Sequence, residues 1–286
     1  MGVRRALVVG GGGVAGIAWA NGLVVGLADA GVDITEAELI VGTSAGANVA
    51  AQISSGLSWE ELFRRQVDSA VWSQELTPQG TPVEEVWEQV AAIHAEAEGD
   101  PMGARRHLGE LALEVETVPE SARRAVVESR LPVHEWPERA LLVTAVDALT
   151  GELRVFDRNS GVSLVDAVTA SSAVPLVWPP YTIDGVRYID GGARSSANAD
   201  LASGFERVLV IAPLPDDALG EQVADLIERD ARVEVITPDE ASLEAFGTDP
   251  LNAATRVPAA NAGRAQGKSE SARVAGLWTQ AAELGR

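Results

Sequence analysis

The chain has 286 residues, with 22 Lys and Arg against 42 Asp and Glu, a formal net charge of −20. Hydrophobic residues at 46% and charged residues at 22% describe a chain that builds a core and exclude a disordered one. The acidity argues against nucleic acid as a partner and limits membrane contact to a peripheral one; the absence of cysteine excludes disulfides, thiolate metal sites and cysteine catalysis.

Residues 3–9 read as a buried strand, followed by four glycines at 10–13 and a helix over 14–30 that stops at Gly31. The same N-terminal stretch has the basic and apolar outline of a secretory leader. Four consecutive glycines, each costing roughly 1 kcal/mol in a helix relative to Ala, favour strand–turn–helix instead. Met1-Gly2 does not fit myristoylation, because position 6 is Ala6. A second short strand at 39–41 enters Gly42-Thr43-Ser44-Ala45-Gly46, and a helix runs on to about residue 55. Strand–turn–helix twice in succession predicts a parallel sheet with helical crossovers. From 58 to 131 the pattern is helical only, with capping boxes at Ser58…Glu61 and at Thr81-Pro82-Val83-Glu84. Between 84 and 120 there are ten acidic and two basic residues, which reads as a solvated helical lid or flank. Strands return at 139–146, 153–156, 181–183, 186–189, 207–212 and 232–236, with Asp184-Gly185 marking a hairpin and a helix near 217–228. A tail from about 248 to 286 reads as helical in part, interrupted at Pro258 and Gly263. The sequence therefore predicts one α/β domain spanning 1–286, with a mostly parallel central sheet between helices. No uninterrupted apolar run reaches the ~18–20 residues of a membrane span, and the expected location is cytoplasmic.

Gly42-Thr43-Ser44-Ala45-Gly46 fits G-x-S-x-G in its required strand-to-helix setting, so Ser44 is the candidate nucleophile. Gly11, Gly12 and Gly13, at the end of the first strand, offer backbone N–H groups for an oxyanion hole. Gly11-x-Gly13-x-x-Gly16 also satisfies a dinucleotide fingerprint. That reading wants an acid at the end of the second strand, where this chain has Gly42-Thr43-Ser44. A serine needs a base, and the three histidines fit poorly: His94 and His107 fall in the acidic insert, and His134 in a proline-flanked loop. Asp190, at a strand end before Gly191-Gly192, is the first candidate base and Asp147 the second, while Asp184 is the clearer turn residue. Trp59, Trp72 and Trp87 are candidates for lining an acyl channel, against the plainer reading of helix packing.

Three blocks in order resemble the patatin-like phospholipase family: Gly10-Gly11-Gly12-Gly13-Val14-Ala15-Gly16, Gly42-Thr43-Ser44-Ala45-Gly46 and Asp190-Gly191-Gly192. The run Ala170-Ser171-Ser172-Ala173-Val174-Pro175 before the hairpin is also similar to that family's approach to its aspartate. The resemblance covers about 5–60 and 140–202. It implies a Ser44–Asp190 dyad, an oxyanion loop at Gly11, Gly12 and Gly13, no metal or cofactor, and hydrolysis of lipid or other acyl esters. Two positions depart from the family: Ala15 stands where it usually has Arg or Lys, and Ser196-Ala197-Asn198-Ala199 replaces its Asn-Thr-Pro. The alternative expectation is a catalytically weak or inactive α/β module that binds a nucleotide or an acyl ligand.

Overall fold

The computed structural model describes residues 3–78, 82–97 and 99–278. Met1-Gly2, the capping residue Thr81 and the last eight residues of the predicted tail lie outside the described residues. β1 (Arg5–Val9) leads into α1 (Gly13–Asp29), and β2 (Leu39–Thr43) into α2 (Ala45–Ile53), the two strand–turn–helix units read from the sequence. The insert follows as α3 (Trp59–Val67), α4 (Val83–Glu96), α5 (Pro101–Glu114) and α6 (Glu120–Arg130). Ser58 caps α3 by accepting the Glu61 amide at 3.2 Å. The second half of the sheet is β3 (Ala140–Asp147), β4 (Leu153–Phe156), β5 (Tyr181–Ile183), β6 (Val186–Asp190), β7 (Arg207–Ile211) and β8 (Arg232–Ile236). α7 (Leu164–Ser171) precedes β5, α8 (Leu219–Glu228) joins β7 to β8, and α9 (Glu240–Phe246) and α10 (Arg256–Trp278) close the described chain.

The strand order is β5-β6-β3-β2-β1-β7-β8, with β4 paired to β3. β2, β1, β7, β8 and β3 run parallel, β4 and β6 run antiparallel to β3, and β5 pairs antiparallel with β6. Successive side chains of a strand point to opposite faces. Leu7 and Val9 of β1 accordingly pack into a core with α1, α2, α7 and α10, while Ala6 and Val8 pack under Leu226 of α8 and residues 197–202. A third cluster joins α4 and α5 to Val146, Ile189 and Leu251, so the insert sits over the strand ends. Its apolar stripe (Val86, Ile93, Ala104, Leu108, Ala112) is buried, while Glu84, Glu85 and Glu88 face solvent.

Two helices, α7 and α9, were not singled out by the sequence pattern; α7 is almost wholly buried and so lacks the amphipathic alternation that reveals a surface helix. The tail also differs from expectation, because α10 continues through both predicted interruptions. Pro258 lies in its first turn, where a missing N–H costs no intrahelical bond. Gly263 serves contact: a Cβ there would lie 2.1 Å from the Trp19 carbonyl oxygen, so its absence lets α10 lie directly on α1. Trp19, in turn, donates its ring N–H to Ser242 and Gln266, tying α1 to α9 and α10.

Candidate active site

The register of β3 assembles the site. β2 occupies one edge of β3 with Thr43 opposite Thr144, and β4 occupies the other edge. β2 stops there because the chain turns into α2, and β6 takes over the vacated edge with Asp190 opposite Ala145, the next residue along. Ser44 and Asp190, far apart in sequence, are thereby brought to the same strand end.

Ser44 sits at the N-cap of α2 with φ 55 and ψ −117, a left-handed backbone that a non-glycine residue adopts only when its surroundings impose it. The turn is possible because Gly46 has no side chain, since a Cβ there would lie 1.8 Å from the Val9 carbonyl oxygen. The elbow is also held from outside. The Ser44 amide donates to Ser171 Oγ at 2.8 Å, and Asn48 Nδ2 donates to the Ser44 carbonyl and to Ser172 Oγ, both at 3.1 Å. Ser171 and Ser172, noticed in the sequence only as part of a resemblance, thus brace the strained turn. Asn198 is the residue that sequence reasoning missed. Its buried amide donates to Thr43 Oγ1, the Ser195 carbonyl and the Gly191 carbonyl at 3.1, 2.7 and 3.3 Å, clamping the end of β2 to the loop after Asp190. It holds an αL backbone, which Asn tolerates, and beyond the residue type itself the sequence carries no signal of that role.

Ser44 is 7% exposed and Asp190 4%. Asp190 Oδ1 accepts the Gly192 amide at 2.7 Å, and Oδ2 has no hydrogen-bond partner among the described residues. Burial pushes the Asp190 carboxyl up to about 6; the neighbouring Ser44 hydroxyl, the Gly192 amide and the Arg123 guanidinium pull in the other direction. No Ser44–Asp190 bond meets normal geometry, although the hydroxyl is near enough to act on the carboxyl. Oδ2 thus has no competing donor among the described residues.

Both residues open on a cleft of about 110 Å³. One wall is Gly11, Gly12 and Gly13; the other is apolar, formed by Trp87 and Val90 of α4, Leu108 of α5, and Val174 and Leu251. Of the three glycine amides, that of Gly11 is already committed, donating to the Ser196 carbonyl at 2.9 Å. This corrects the expectation that all three serve an oxyanion. The amides of Gly12 and Gly13 have no acceptor among the described residues. Ala15, at the family's usual cationic position, is buried, and its amide donates to the Pro250 carbonyl at 3.0 Å, so the 249–251 segment supports the loop.

The other candidates fall elsewhere. Asp147 Oδ1 accepts the amides of Leu149 and Thr150 at 2.8 and 3.0 Å and shapes the β3–β4 turn; Asp190 Oδ1 makes a similar turn contact, but its Oδ2 remains without a partner among the described residues. Asp184 turns the β5–β6 hairpin with φ 50. His107 pairs with Glu110, and His134 meets the Glu128 carbonyl, both on the surface. His94 lines the mouth of the cleft, nearer the site than its sequence position suggested, but makes no hydrogen bond to Ser44 or Asp190. Of the tryptophans, Trp87 lines the cleft, Trp59 packs on the main core, and Trp72 is 39% exposed beneath Arg256. Among the described residues no group of three or more His, Cys, Asp or Glu is placed to hold a metal ion, and no helix is long and apolar enough to cross a membrane.

A family model described as patatin-like phospholipase matches residues 7–203. No curated protein sequence matches the chain. Among solved structures, VipD from Legionella pneumophila is 13% identical with a TM-score of 0.47, the alignment covering 95% of this chain and 67% of VipD. The type III effector ExoU is 14% identical with a TM-score of 0.41, over 95% of this chain and 53% of ExoU. ExoU is also solved in a heterodimeric complex with SpcU from the type III secretion system of Pseudomonas aeruginosa, where the identity is 14%, the TM-score 0.42 and the coverage 95% of this chain and 52% of that one. The chain thus spans about half the length of ExoU.

Proposed function

The chain belongs to the patatin-like phospholipase family, and on that premise we propose that it hydrolyses acyl esters of lipids, with Ser44 as nucleophile and Asp190 as the base. Ser44 Oγ attacks the ester carbonyl carbon while Asp190 takes the hydroxyl proton, and the proton passes to the departing alkoxide. Water then attacks the acyl-enzyme, gives a proton to Asp190, and Ser44 leaves with that proton restored. The N–H groups of Gly12 and Gly13, with that of Ala45 at the start of α2, receive the negative charge that develops on the carbonyl oxygen. An ordinary aspartate is too weak a base for a hydroxyl; a carboxyl pushed up to about 6 by burial is better matched to neutral pH. The apolar wall of Trp87, Val90 and Leu108 suits an acyl chain.

The observation that carries this reading is the β3 register, which sets a buried carboxylate beside a strained serine. The test is labelling with a fluorophosphonate probe. The native chain labels and turns over a long-chain ester, and Ser44→Ala loses both, with turnover falling by about 10⁴ or more. Labelling that survives in Ser44→Ala removes Ser44 as nucleophile. Turnover rises with pH through about 6 as Asp190 ionises; a profile flat across that range removes Asp190 as base.

A further inference from the structure

Beside Ser44 the cleft has a side compartment of about 20 Å³, sharing Gly13, Ser44, Val174 and Leu251 with the main cleft and lined further by Glu75, Arg123, Arg130 and Trp178. Two guanidiniums and one carboxylate line it, and a third guanidinium, that of Arg256, reaches the same carboxylate from outside. Glu75 accepts from Arg130 and from Arg256, and Arg256 also donates to Ser73 Oγ at 3.1 Å. Those two arginines are therefore spent on Glu75. Arg123, from α6, is not: it is 4% exposed, and its Nε and Nη1 have no acceptor among the described residues. Its guanidinium lies 4.4 Å from the Trp178 ring centroid, which compensates one face and leaves Nε and Nη1 without an acceptor among the described residues. Burial and Arg130 pull the Arg123 pKa down to about 9, which leaves it charged at neutral pH. Glu75 and Asp190 lie near enough to favour its charge but accept no hydrogen bond from its Nε or Nη1, and buried donors left without an acceptor are costly. The planar guanidinium fork matches the paired oxygens of a carboxylate or phosphate.

We propose that Arg123 is the anion-recognising residue of the site, receiving a compact terminal oxyanion, phosphate or carboxylate, carried by the acyl ester whose carbonyl lies at Ser44. The inference rests on the hydrolase reading above and sharpens its substrate class. The compartment is small, about 20 Å³, and opens into the main cleft at Gly13, Ser44, Val174 and Leu251, so the oxygens of a compact terminal anion reach toward Arg123 from the main cleft, while a phosphate carrying a bulky alcohol is obstructed by its own substituent.

The experiment compares kcat/KM for four esters of one acyl chain: lysophosphatidic acid, an acylated glyceric acid, the neutral monoacylglycerol and lysophosphatidylcholine. The expected result is a preference for one or both compact anions over the neutral ester. Arg123→Gln lowers that ratio at least tenfold, and Arg123→Lys restores part of it. Taking a ratio cancels any effect of Arg123 on Asp190, which acts on every ester alike. Preference for the phosphate alone, or the carboxylate alone, identifies the source of the anion. Equal rates on all four esters, or a ratio that Arg123→Gln leaves unchanged, overturn the proposal, as does lysophosphatidylcholine matching lysophosphatidic acid. Calorimetric binding of the ether analogue 1-O-hexadecylglycerol 3-phosphate, against 1-O-hexadecylglycerol, to the Ser44→Ala protein reads the same preference without turnover. Should no ester be hydrolysed, the hydrolase reading fails while this titration still decides Arg123. Should Arg123→Gln not fold, Arg123→Lys and the native titration carry the test.

Discussion

The two sides of the cleft are built differently. On the strand side, the glycine loop, the Ser44 elbow and the Asp190 turn are the ends of β1, β2 and β6, held by sheet register, by a hydrogen bond from the Ser44 amide to Ser171 and by hydrogen bonds from Asn48 and Asn198. On the insert side, α4 and α5 bring apolar side chains against the cleft and carry their acidic residues into solvent. Rigid strand ends suit atoms that must be placed to a fraction of an ångström. Helices packed through one apolar stripe suit the job of shaping and covering a cleft, where tolerance is wider. The difference separates the groups proposed to react from those proposed to select.

The sharpest way to break this comparison is Asp190→Asn, expected to lower turnover by about 10³–10⁴ with the fold intact. If Asp147→Asn did so instead, the reacting groups would not be those at the shared β3 edge. The next largest effect is expected on the insert side, from one carboxylate. Burial alone would raise the Glu75 carboxyl, but Arg130 and then Arg256 hold it below the usual range, so it is ionised and ties the end of α6 to the start of α10. Glu75→Gln leaves buried guanidiniums unanswered and should cost about 3–4 kcal/mol in chemical denaturation. A loss under about 1 kcal/mol would mean the insert is held by its apolar stripe alone.

Asp190→Asn has a second, opposite effect. Because the folded carboxyl is raised from 3.8 to about 6, the fold favours the protonated form; its ionisation destabilises the native state progressively as pH climbs from about 4 to 6 and fully above that. Removing the charge should therefore stabilise the protein by about 3 kcal/mol at pH 8 and by almost nothing at pH 3. A variant no more stable than the native chain at pH 8 would show that Asp190 is not strained by burial. The smallest expected effect is Trp87→Ala, which should lower kcat/KM for a long-chain ester by about 5–30-fold and leave a two-carbon ester nearly untouched. An equal loss on both would place Trp87 in support of the reacting groups and blur the division.

Much of the strand side was legible locally. A strand–turn–helix that must bend sharply needs glycines at fixed offsets from Ser44, and such requirements are written in neighbouring residues. Asp190 was readable as a strand-end acid beside two glycines, and the Asp184 turn as a hairpin signal. Less visible were the α7 helix that braces the elbow, the continuity of α10 through Pro258 and Gly263, and Asn198 as a clamp, because each depends on what packs against it from far along the chain.

The sequence by itself determined the class of fold and the residue types at its strand ends, since backbone strain, glycine spacing and apolar patterning act over a few residues. Tertiary structure alone decided that β6 follows β2 along one edge of β3, that the Gly11 amide is spent on Ser196, and that Arg123 is buried near Ser44 with its Nε and Nη1 lacking an acceptor among the described residues. Register, burial and hydrogen-bond partners are properties of pairs of segments, and no single segment encodes them.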